Sequence, residues 1–261
     1  MIEKKHSRKG IYLLPNLLTT TGLFAGFYSI VAAMHNRFEM AAVAIFIAIV
    51  MDGLDGRVAR LTNTSSDFGA EYDSLSDMVC FGLAPALVMY EWSLTYMVQL
   101  GWAKLGWIAA FFFTATAALR LARFNTQPDS EDKRFFKGLA SPAAAALLAG
   151  SVWVGDDLGL EGGDFALPAF LLTLIAGALM VSNIRYYSFK DIDMKHRVPF
   201  IAILAIVLVF MFASIDPPKV ILGGFLIYAL SGPVLGARRL FGGGKNATVP
   251  EDSTGDSQGD H

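Results

Sequence analysis

Cysteine occurs once in the chain, at Cys80, so no intrachain disulfide can form and no zinc or redox motif that needs two cysteines can be built. Histidine is nearly as scarce: His6, His35, His196 and His261 are scattered and form no HExxH or similar metal-binding pair. Charge is sparse too, at 17% Asp, Glu, Lys and Arg, and the net charge is only −2. No basic groove with interleaved aromatics is present, so a nucleic-acid partner is not expected. No repeat of solenoid period is visible. After Leu240, in FGGGKNATVPEDSTGDSQGDH, apolar residues are too few to offset the entropy of ordering a chain, and a disordered cytoplasmic tail is expected over 241–261.

Apolar residues, by contrast, make up 54% of the sequence, which is the composition of a membrane protein. A helix needs about 20 mostly apolar residues to cross a bilayer. Such stretches lie at 12–34, 39–60, 74–95, 103–124, 139–156, 165–185, 198–214 and 219–238, which predicts an all-α, polytopic transmembrane helix bundle of about eight spans over 12–240. The basic head of the first run resembles a secretory signal. The run is long and is followed by further apolar segments, so an uncleaved first span behind a cytoplasmic segment at 1–11 is expected. Basic residues test the topology independently. With both termini cytoplasmic, the outer loops and span ends hold only Arg37, Lys104 and Lys219 of the 21 Lys and Arg residues. The expected location is the cell inner (cytoplasmic) membrane, with multiple passes.

Chemistry is concentrated in MDGLDGRVARLTNTSSDFGAEYDSLSDMVCFGLAPA, residues 51–86. On a helix, Asp52, Asp55, Gly56, Ala59 and Arg60 follow three- and four-residue steps and share a face, while Gly69, Asp73 and Asp77 form a second stripe. The polar stretch between them, ending in Ser66 or Asp67 as a cap, predicts a helical hairpin with its bend at the cytoplasmic face. Four carboxylates gathered at a membrane interface repel one another and require cations. Oxygen ligands on rigid helices suit hard divalent ions, Mg²⁺ or Mn²⁺, and two ions would balance four negative charges. A two-metal site suits phosphoryl chemistry. The small residues Gly56, Ala59 and Gly69 would let a nucleotide approach the backbone, and Arg60 can bind diphosphate oxygens. The bland alternative is that these acids are solvated helix caps, paired with Arg57 and Arg60.

The spacing Asp52-x2-Asp55-Gly56-x2-Ala59-Arg60-x8-Gly69-x3-Asp73-x3-Asp77 resembles the complete signature of the CDP-alcohol phosphotransferase family. The resemblance implies a usually dimeric membrane enzyme with a six-span core and a cytoplasm-facing active site, using a CDP-linked donor and releasing CMP. It also implies that Asp52, Asp55, Asp73 and Asp77 are metal ligands, with Asp77 doubling as general base. Gly56, Ala59, Arg60 and Gly69 would then hold the CDP part. LLPNLLTTTGLFAGF, DSLSDMVCFGLAPA, ALRLARFN, FKGLASPAAA and SNIRYYSFK further resemble the phosphatidylserine synthase branch, which implies CDP-diacylglycerol and L-serine as substrates and two spans beyond the core. For serine the site needs a cation, and Arg120 and Arg123, three residues apart at the inner end of the fourth span, can both face it. Their alternative role is positive-inside anchoring. Asn16, after Pro15, is placed to contact the nucleotide or to cap the first helix.

Two rival readings remain at this level. A cation transporter would also place acids in the membrane, but spread over several spans or on broken helices in repeated halves. A relative using glycerol 3-phosphate or inositol phosphate would call for a denser basic cluster than this pair of arginines.

Overall fold

In the computed structural model, which describes residues 13–62, 64, 66–126, 135–187, 208, 211 and 214–242, the apolar runs form helices. They are α1 (Leu13–Met34), α2 (Phe38–Thr62), α3 (Asp67–Asp77), α4 (Ala84–Trp92), α5 (Ala103–Thr126), α6 (Ser141–Asp157), α7 (Ala166–Val181) and α8 (Pro217–Gly242). The expected segment at 1–11, the tail beyond residue 242 and most of the run at 198–214 lie outside the described residues. Among the described residues, three helices, Leu14–Met34, Lys104–Thr126 and Pro217–Leu235, are long and apolar enough to cross a membrane, and α7 is a shorter apolar helix.

The surface is inverted relative to a water-soluble protein. Phe24, Phe27, Phe111, Leu119, Ile227 and Leu230 are at least 60% exposed, whereas the interior is dominated by alanine, including Ala143–Ala146 and Ala149 of α6. In lipid there is no hydrophobic force between helices, so small residues that permit close van der Waals packing carry the association. Gly22 and Gly26 of α1 act in this way inside the bundle. A Cβ on Gly26 would lie 2.7 Å from Cys80 Sγ, and one on Gly22 would lie 3.4 Å from Met51 Cβ.

Local sequence explains the joints. The α1–α2 turn is closed by Asn36 at φ 56°, a left-handed conformation that Asn tolerates at a helix end. At the start of α3, Ser66 Oγ accepts a hydrogen bond from the Gly69 amide at 3.1 Å, so the helix begins at Asp67 behind one of the two expected caps, seven residues before the apolar run at 74–95. A single π-helical turn, Met78–Leu83, joins α3 to α4 without a loop. Pro85 in the first turn of α4 has no amide hydrogen, and its ring would crowd the Phe81 carbonyl in a regular helix; the wider turn accommodates it.

The all-helical expectation needs one amendment. Strands β1 (Phe135–Lys137) and β2 (Arg185–Tyr187) pair antiparallel, with Phe136 opposite Tyr186, and tie the approach to α6 to the segment after α7. Three residues are too few to show an alternating pattern in sequence. Gly138 follows β1 at φ 83°, where a Cβ would come within 2.2 Å of the Met180 carbonyl oxygen, so only glycine fits.

Contacts between distant segments show that the helices run up and down with two distinct ends. At one end, the Glu39 amide donates to Asp156 Oδ2 at 3.1 Å, Ser93 Oγ donates to the Gly162 carbonyl at 2.6 Å, and Lys219 reaches Asp216 and Asp157. Arg120 to Ser141, Asn125 to Ser74 and Arg123 to Asn183 link helix ends at the other. The acidic hairpin lies at that second end.

Candidate active site

Asp52 and Asp55 come from the last turns of α2, and Asp73 and Asp77 from α3. One carboxylate oxygen from each of Asp52, Asp55 and Asp73 lies within 4.8 Å of the others. Asp55 is buried, at 4% exposure, and the Thr19 hydroxyl of α1 donates to its Oδ2 at 2.6 Å. That bond pins the carboxylate, which also interacts with the Gly56 backbone and Asp73. Asp77 is set one turn deeper, beside Asp52, in a narrow crevice that Asp55, Asp73, Ser76 and Cys80 also line. α1 holds this part of α3 in place: the Ser76 hydroxyl donates to the Thr19 carbonyl at 3.4 Å, and the Cys80 thiol to the Gly22 carbonyl at 3.3 Å.

These residues fit a divalent cation. They are hard oxygen donors on rigid helices, and the three converging carboxylates would repel one another without a positive partner. The described geometry supplies three mutually close ligands, with Asp77 as a neighbour outside that triad.

A larger cavity of about 580 Å³ opens beside the acids. Asn16, Gly56, Ala59 and Gly69 line it, as the spacing predicted, together with Thr19, Asp55 and Asp73. Gly56 has nothing within 4 Å of where a Cβ would stand, so its backbone is open to a ligand. At Gly69 a Cβ would meet Ser66 Oγ at 3.2 Å and Asn16 Oδ1 at 3.4 Å, so a side chain there would narrow the wall. Arg60 is exposed and is not among the residues lining the cavity, and Arg57 is exposed as well.

The two arginines of α5 separate. Arg120 Nη1 donates to Ser141 Oγ at 2.8 Å, and Asp77 and Tyr228 are the ionisable groups that act on its guanidinium. Its Nε is buried and has no hydrogen-bond partner in the protein. A buried N–H left in that state costs about 1–3 kcal/mol. Arg123 Nη2 instead donates to Asn183 Oδ1 at 2.9 Å. Of the predicted pair, Arg120 is thus tied to α6 and Arg123 to the segment after α7.

Sequence reading passed over Thr19 and Tyr228. Thr19 could have been found, since it stands three residues after Asn16 and therefore shares its helix face. Tyr228 carries no signal of its own, because it is distant in sequence and sits in an apolar run.

The chain matches the family model described as CDP-alcohol phosphatidyltransferase over residues 12–166. A CDP-diacylglycerol–serine O-phosphatidyltransferase of Helicobacter pylori is 38% identical over 221 residues, covering 84% of this chain and 90% of the relative. The enzyme of the same name from Mycobacterium leprae is 34% identical over 218 residues, covering 79% of this chain and 70% of the relative. The one from Methanocaldococcus jannaschii is 34% identical over 185 residues, covering 71% and 79%.

Proposed function

The chain belongs to the CDP-alcohol phosphatidyltransferase family, and from that membership and the site we infer that it transfers a phosphatidyl group from CDP-diacylglycerol to L-serine, giving phosphatidylserine and CMP. The observation that carries the reading is the convergence of Asp52, Asp55 and Asp73 at the edge of a cavity whose wall is Gly56, Ala59 and Gly69. An anionic, metal-competent cluster beside a wall that includes these three small residues is what a metal-bound nucleotide diphosphate needs.

The residues divide the work as follows. Asp52, Asp55, Asp73 and Asp77 hold one or two divalent ions, Mg²⁺ or Mn²⁺. Bound metal would neutralise the donor's diphosphate and the charge that develops on departing CMP. Gly56, Ala59, Gly69 and Asn16 receive the CDP part, and Arg60, at the exposed end of the same stripe, attracts diphosphate from outside the cavity. Asp77 takes the proton from the serine hydroxyl, whose oxygen then bonds to the lipid-bearing phosphorus as the bond to CMP breaks. No histidine occurs in the 51–86 stretch that carries the acids to make or activate a covalent intermediate, which favours direct displacement. Arg120 holds the serine carboxylate through charge-assisted hydrogen bonds, and Arg123 supports the inner rim.

The wider arrangement follows the same reading. The active site faces the cytoplasm, about eight spans cross the inner membrane, both termini are cytoplasmic, 12–240 forms the catalytic domain, and the enzyme works as a homodimer. The decisive experiment supplies labelled CDP-diacylglycerol to the purified protein with serine, glycerol 3-phosphate or inositol phosphate, with Mg²⁺ or with a chelator. Metal-dependent product with serine alone is expected. A product with a phosphorylated polyol and none with serine would overturn the acceptor assignment.

A further inference from the structure

Three consecutive threonines, Thr19, Thr20 and Thr21, stand in the part of α1 nearest the acids. Each hydroxyl lies against the carbonyl four residues back: Thr19 with Pro15 at 3.1 Å, Thr20 with Asn16 at 2.7 Å and Thr21 with Leu17 at 2.8 Å. That local bond is ordinary for threonine in a helix and implies no function. Thr20 and Thr21 are exposed, whereas Thr19 is buried and its hydroxyl also reaches Asp55 Oδ2 at 2.6 Å. A hydroxyl has one proton to give. Between a carbonyl at 3.1 Å and a carboxylate at 2.6 Å it goes to the carboxylate, since charge-assisted O–H···O⁻ bonds are the shorter and stronger kind. The Thr19 carbonyl meanwhile accepts from Ser76, the neighbour of Asp77, so this one residue touches both acid-bearing helices. Among the described residues, Thr19, Asp55 and Asp73 are the three that line both the larger cavity and the crevice of the acids.

We propose that Thr19 is a positioning residue of the metal site, whose hydroxyl holds the Asp55 carboxylate toward Asp52 and Asp73 against their mutual repulsion and thereby sets the affinity for a divalent ion. The proposal rests on the reading that these three acids hold metal. Asp55 is 4% exposed, so little water is at hand to orient it, and the oxygens of Asp52 and Asp73 within 4.8 Å push it away. The last torsion of an aspartate is broad, so a carboxylate without a partner relieves that repulsion by turning. Donating a hydrogen bond also withdraws some charge from the carboxylate, which weakens it as a ligand. One neutral donor does this modestly, whereas a carboxylate turned aside is no ligand, so orientation outweighs the withdrawal.

The test reads metal directly, without turnover. Full-length protein in detergent micelles, stripped of metal, is titrated with Mn²⁺ alone, and the unbound ion is measured by its electron paramagnetic resonance signal. Thr19→Val keeps the shape and removes the donor, and Thr19→Ala removes it with no methyl group to crowd the carboxylate. Each should weaken Mn²⁺ binding about 10–100-fold, the usual effect of losing a partner that orients a ligand. Thr19→Ser, which keeps the hydroxyl, should restore most of the affinity, and Thr21→Val, which loses only a local bond, should bind as the wild type does. Wild-type affinity in Thr19→Val and Thr19→Ala would overturn the proposal, and either variant decides the matter if the other does not fold. An equal weakening in Thr21→Val would also overturn it, because that marks general damage to α1. So would an equal weakening in Thr19→Ser, which marks lost methyl packing. Wild-type protein that leaves all the Mn²⁺ free would instead sink the underlying metal reading, whatever the variants do.

Discussion

Asp55 and Asp77 are chemically identical and belong to one cluster, yet their surroundings divide their work. Asp55 accepts a 2.6 Å hydrogen bond from Thr19, which holds the carboxylate in place beside Asp52 and Asp73, as its proposed ligand role requires. Asp77 lies deeper, outside the close triad, and under the proposed function it is the base that takes the proton of the acceptor hydroxyl. Asp77→Asn keeps the shape and removes the base. Turnover with serine is expected to fall by about 10²–10⁴, the usual contribution of a positioned base, while binding of labelled CDP-diacylglycerol changes little. Equal losses of donor binding and turnover would instead make Asp77 a ligand alone.

At the scale of elements, the hairpin of α2 and α3 works because α1 braces it. α1 supplies Thr19 to Asp55 and backbone carbonyls to Ser76 and Cys80, and it reaches them because Gly26 allows contact with the π-helical turn. Gly26→Leu would force α1 and that turn apart, since even a Cβ would stand 3.1 Å from the Cys80 Cα. The expected cost is about 1–3 kcal/mol, typical of overpacking, read as a lowered melting temperature in detergent together with lost activity. Gly223 of α8 offers the contrast, with nothing within 4 Å of its would-be Cβ. Gly223→Ala should leave activity intact and stabilise the helix by up to about 1 kcal/mol, the difference in helix propensity.

For the whole molecule, the two ends of the bundle divide chemistry from closure. The end with Asn36, Asp156, Asp157 and Lys219 carries tight turns and an ion pair, and the end with the acids and Arg120 carries the cavity. The scarcity of Lys and Arg at the first end predicts that it faces away from the cytoplasm. Single cysteines test this in right-side-out vesicles, with native Cys80, 2% exposed, as a silent control. Asn36→Cys should react with a membrane-impermeant maleimide in intact vesicles, and Leu61→Cys only after permeabilisation. The reverse pattern would invert the topology and put the site outside.

Much of this was legible before folding because it depends on local periodicity. Apolar runs marked the described helices, and three- and four-residue steps put Asp52 with Asp55 and Asp73 with Asp77 on single faces, since a helix repeats every 3.6 residues whatever surrounds it. Ser66 as a cap was likewise readable from side-chain chemistry. Tertiary structure alone decided what depends on which helices meet. It separated Arg120 from Arg123, set Asp77 below the other acids, left Arg60 outside the cavity lining and brought Ser141 to the Arg120 guanidinium. Spacing along the chain specifies a residue's direction from its own helix axis, whereas its partners follow from how alanine- and glycine-lined surfaces pack, a pairing in lipid that no local pattern encodes.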